Sequence, residues 1–84
     1  MIINRSIRQQ IIKFVESAPI ESKEKIGNNG ELLGYQIRSL VDSELFYVAH
    51  PVREIGEGVL RKIFVEKLEK DFLAGKLLPF KLKA

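Results

Sequence analysis

Apolar residues recur along this chain with two different periods, and the change from one to the other divides it into elements. Ile7, Ile11, Phe14 and Val15 follow helical spacing. Ser6 and Gln9 form a Ser-x-x-Gln pattern that resembles a capping box, so a helix is predicted over about 6–17. Ala18-Pro19 ends it, because proline disfavours helical backbone in the residue before it and has no N–H to donate. Residues 20–27 are polar and read as a short edge strand or a loop, where alternating Lys and Glu would discourage pairing with other chains. Asn28-Asn29-Gly30 is the strongest turn signal, since Asn and Gly tolerate the positive φ that tight reversals need.

The next segment fits both periods. Tyr35, Ile37 and Val41 would share one face of a strand, whereas Leu33, Ile37, Leu40, Val41 and Leu45 fit a helix. Gly34 interrupts the helical reading, Asp42-Ser43 is a turn pair, and the run that follows is rich in β-formers. An antiparallel hairpin of 35–41 with 45–52 is therefore expected, with Pro51 near its end, where a missing donor does least harm. After Gly56-Glu57-Gly58, helical spacing returns. Leu60, Ile63, Phe64, Leu68 and Phe72 form the buried stripe of a helix to about residue 74, and Lys62, Glu66, Glu69 and Lys70 lie opposite. Glu66 and Lys70 are in favourable order for an i,i+4 pair, and Gly75 is a natural stop.

These elements define an α+β fold: a small two-layer domain with an N-terminal helix, an antiparallel β-hairpin or three-stranded meander, and a long C-terminal helix. The chain of 84 residues reads as one domain over 1–84, with a basic, apolar tail over 75–84. A hydrophobic share of 45% and a charged share of 30% place it with folded globular chains rather than disordered ones. Without cysteine there is no disulfide, thiolate nucleophile or cysteine-based zinc site. Charges recur before any apolar run reaches the length of a signal segment or membrane span, which gives a cytoplasmic expectation with no membrane partner. The net charge of +3 is local: acids and bases balance up to residue 73, and the excess is Lys76, Lys81 and Lys83. A neutral body with a basic tail argues less for phosphate binding than a basic face would.

Candidate chemistry is sparse. His50 is the one histidine, and Asp42, Ser43 and His50 lack the spacing of a triad, so the pattern implies no metal, no cofactor and no enzyme. A pocket around His50 with Tyr47 or Glu44 is the single place where catalysis would be sought. Gly56-Glu57-Gly58 lacks the third glycine of a dinucleotide fingerprint and the Lys-Ser/Thr of a P-loop, and reads as a strand-to-helix connection. The order of helix, strands, Gly-x-Gly connection and long helix over about 6–74 resembles a double-stranded RNA-binding domain. Arg61 and Lys62 stand near the lysine pair that this family presents to phosphate, and Gly27-Asn28-Asn29-Gly30 stands in place of its Gly-Pro-x-His turn.

The leading expectation is a non-enzymatic macromolecule-binding protein, an interaction module or regulatory adaptor, with a protein partner or a second copy as its target. Leu77, Leu78 and Phe80 are its candidate contacts, because the tail is too apolar to be a solvated appendage. The alternative is nucleic-acid binding through Arg53, Arg61, Lys62, Lys76, Lys81 and Lys83.

Overall fold

The computed structural model describes residues 2–41 and 43–83. Its elements run α1 (Arg5–Ser17), β1 (Ile20–Ile26), β2 (Leu32–Ser39), β3 (Leu45–Ala49) and α2 (Glu57–Leu73). The strands form an antiparallel meander in the order β1-β2-β3, so the expected α+β fold holds and the meander prevails over the simple hairpin.

Local sequence explains most boundaries. Asn4, not Ser6, caps α1: its side-chain oxygen accepts the Ile7 N–H at 2.9 Å, and the helix starts at Arg5. The Asn28–Gly30 reversal joins β1 to β2, with Gly30 at φ 79°. Of residues 20–27, Ile20–Ile26 pair into the sheet, and β1 is an edge strand bearing four charged side chains among its seven residues. β2 ends at Ser39, so Val41, expected on its inner face, is 79% exposed in the following turn. Asp42 lies outside the described residues, and its turn partner Ser43 has φ 60°. β3 stops at Ala49 rather than reaching residue 52. Gly56 is the N-cap position of α2, which places Gly58 inside the first turn instead of before it. Gly75, at φ 80°, terminates that helix as anticipated.

A β-bulge breaks the strand alternation at the start of the ambiguous segment. Between Lys25 and Ile26 the β1–β2 register shifts, with Lys25 opposite Gly34 and Ile26 opposite Leu32. The extra residue, Leu33, breaks the alternation and turns Leu32 into the core. Gly34 sits where the strands crowd: a Cβ there would collide with the Val48 carbonyl oxygen and lie 2.9 Å from Ala49 Cα.

The helices cover the face of the sheet that carries Tyr35, Ile37, Phe46 and Val48. Ile11 and Val15 of α1 and Leu60, Ile63, Phe64 and Leu68 of α2 complete the core. Phe46 and Phe64 meet with ring centroids 5.1 Å apart, a tilted contact that fixes α2 over β3. Burying side chains of this size contributes roughly 2 kcal/mol each, so this cluster dominates the stability. Arg8 and Glu69 join the two helices at 2.8 Å. Among the described residues the expected Glu66–Lys70 pair is not formed; Lys67 pairs instead with Asp71 at 2.9 Å, and Lys76 lies 3.9 Å from the same carboxylate.

Candidate functional site

The two edges of the sheet differ in chemistry. β1 reads Ile-Glu-Ser-Lys-Glu-Lys-Ile, whereas β3 reads Leu-Phe-Tyr-Val-Ala and carries no charge. Charged side chains along an edge obstruct the approach of another strand, and an uncharged edge lacks that protection. β1 is thus a blunted edge and β3 an open one.

The backbone phase of β3 follows from two hydrogen bonds. The Ser39 N–H donates to Glu44 O at 2.9 Å, and the His50 N–H donates to Leu33 O at 3.3 Å, both in the β2–β3 register. In an antiparallel ladder, residues that exchange bonds alternate with residues whose N–H and C=O point away. Residues 44, 46, 48 and 50 therefore face β2, and Leu45, Tyr47 and Ala49 direct their N–H and C=O groups outward. Among the described residues none of these outward groups is hydrogen-bonded. Pro51, next in the same phase, has no N–H, so the outward row ends at Ala49.

Side chains follow the same alternation. Phe46 and Val48 point into the core, while Leu45 and Tyr47 stand on the outer face, 52% and 44% exposed. The Tyr47 hydroxyl donates to Leu33 O at 3.1 Å, which orients its ring. On the helix side, a cleft of about 270 Å³ runs beside the edge, lined by Tyr47, Ala49, His50, Ile63, Glu66 and Lys70 among others. His50 lies at the end of this cleft, half-buried, its ring tilted against Tyr35 with centroids 6.3 Å apart. Among the described residues no group of three or more His, Asp or Glu is placed to hold a metal ion. No helix among them is long and apolar enough to cross a membrane.

The tail residues divide. Phe80 stacks on Phe14 with centroids 4.8 Å apart, and Leu78 packs against the core. The Gln10 side chain donates to Lys83 O at 3.0 Å and accepts the Lys83 N–H at 2.8 Å, so the tail runs back along α1. Leu77, at the bend, is 96% exposed.

The basic residues are not gathered on one face. Arg61 donates to the carbonyls of Val15 and Ala18 and to Glu57, closing the C-terminal end of α1. Arg53 donates to Gly30 O at 2.6 Å and lies 3.9 Å from Glu24, tying the loop before α2 to the β1–β2 turn. Lys62 borders a groove with Ile12 and Glu16, on one flank of α1, while Lys81 and Lys83 follow the opposite flank past Phe14 and Gln10. Lys76 lies 3.9 Å from Asp71.

The sequence reading singles out the tail and the basic residues and passes over the β3 edge. A usable signal was present: no charge falls between Glu44 and His50, in contrast to the four charges of β1. Compared with known proteins, the chain matches no protein-family model, no curated protein and no solved structure.

Proposed function

We propose that this chain is a small non-enzymatic binding protein that takes up a protein partner by strand addition at β3. The observation that carries the reading is the outward row of N–H and C=O groups on Leu45, Tyr47 and Ala49 along an uncharged edge. Main-chain bonds to such a row supply affinity for an extended segment, and pockets beside it supply selectivity. Leu45 and Tyr47 on the outer face and the cleft beneath α2 flank the row on both sides. Leu77 is a secondary contact candidate, since Leu78 and Phe80 are engaged within the chain.

The test is peptide selection from a random library, followed by amide hydrogen exchange on the complexes. Selected peptides should slow exchange at Leu45, Tyr47 and Ala49. Binders that instead protect the neighbourhood of Leu77 and leave these three amides unchanged would contradict the reading.

Nucleic-acid binding is the second reading, favoured by the order of helix, three strands and helix that the RNA-binding resemblance implied. Against it, Arg61 and Arg53 already serve internal acceptors. Titration with duplex RNA at two salt concentrations separates the readings, because phosphate contacts give an affinity that falls steeply with salt. Saturable, salt-sensitive binding that Lys62→Glu with Lys81→Glu abolishes would favour the second reading.

A further inference from the structure

We infer that the occupant of the β3 edge is β3 of a second copy, paired antiparallel about a two-fold axis at Tyr47. The inference rests on strand addition at β3 and names the partner.

The outward row has three members at equal spacing, Leu45, Tyr47 and Ala49, so its midpoint is Tyr47. A two-fold axis through that midpoint makes the interface isologous, the same patch meeting itself. Tyr47 then exchanges both backbone bonds with Tyr47 of the second copy, and Leu45 exchanges both with Ala49 of the second copy. Every outward N–H and C=O of β3 gains a partner in this register. A shift of the axis to Ala49 would place Pro51, which has no N–H, in the ladder. A shift to Leu45 would leave Ala49 unpaired. The length of the row and its proline stop therefore select one register.

Charge supports a second copy as well. The exposed charges beside the cleft, Glu66 and Lys70, are of opposite sign, and Lys67 is already paired with Asp71. The rim thus has no net charge to repel its own image. On the outer face the pairing brings Leu45 against Ala49, and Tyr47 against Tyr47, with no like charges opposed. A five-residue interface is small, so the dimer is expected to form with rising concentration rather than to be permanent.

The experiment is sedimentation equilibrium of the full chain over roughly 5 µM to 1 mM, a range that covers weak association. The average mass should rise from 9.6 kDa towards twice that value. In this register residue 45 faces residue 49 of the second copy, which permits a charge test. Leu45→Lys with Ala49→Lys opposes like charges twice and should weaken association at least tenfold. Leu45→Glu with Ala49→Lys pairs opposite charges twice and should retain association within a few-fold of the parent. Urea melts of both variants check that each is folded. A protein that stays monomeric to 1 mM, or two variants with equal effect, overturns the inference. A monomer whose edge amides are protected by a selected peptide also overturns it, while strand addition survives.

Discussion

Arg61 is a residue whose identity was legible from the sequence and whose role was not. A helix leaves its last carbonyls without intrahelical partners, and the guanidinium of Arg61 supplies donors to two acceptors near the end of α1, Val15 and Ala18. Its side chain is 23% exposed, so little of it remains available to phosphate. Arg61→Met should destabilise the fold by about 1–2 kcal/mol in urea unfolding, because buried acceptors lose charged donors. Arg61→Lys should recover only part, since one guanidinium nitrogen serves both carbonyls while the other holds Glu57, and a single ammonium has no second nitrogen to reach that carboxylate. Gly34 gives a sharper case. Its lack of a side chain appears in the sequence only as an interruption of helical period, but the reason is the backbone of β3 against it. Gly34→Ala should cost about 2 kcal/mol, the scale of overpacking at a site that cannot yield. Glu54 offers the opposite sign, because it holds φ 57° without being glycine. Glu54→Gly should raise the urea midpoint, relieving strain on the order of 1 kcal/mol less the entropy that glycine adds to the unfolded chain.

At the scale of elements, the two helices were legible because an apolar stripe at 3.6-residue spacing needs no knowledge of its neighbours. The strands were less so. Leu33 sits in a bulge, which breaks the two-residue alternation at the point where strand and helix readings had to be told apart. Strand ends were also overestimated: Val41 and Val52 are β-formers, but β2 and β3 stop before them, and composition gives no count of ladder bonds. The tail is a fourth packing element in practice. Phe80 against Phe14 and the paired bonds from Gln10 to Lys83 hold it to α1. Phe80→Ala should lower stability by about 1–2 kcal/mol, from lost burial and the aromatic contact. The same denaturation experiment with Leu77→Ala should show a change within about 0.5 kcal/mol, because Leu77 touches little.

For the whole molecule, the arrangement of charge matters more than its sum. The excess of +3 lies in the tail, and the tail folds back along one flank of α1 while Lys62 lies on the other. Such a distribution weakens a phosphate-tracking surface and leaves the sheet edges as the most contrasted features. β1 is charged along its length and β3 is not, a difference visible in the sequence only once the strand order has made both of them edges. The outward row at Leu45, Tyr47 and Ala49 was not legible at all, because it depends on ladder phase, which two backbone bonds set. The central claim is that this row pairs with the same row of a second copy. Amide hydrogen exchange of the isolated protein at 10 µM and 1 mM, roughly the span over which a weak pairing fills, tests it most directly. Exchange at Leu45, Tyr47 and Ala49 should slow several-fold at the higher concentration, with the amides of charged β1 unchanged. Equal rates at both concentrations for those three amides, with slowing confined to the tail around Leu77, would contradict it.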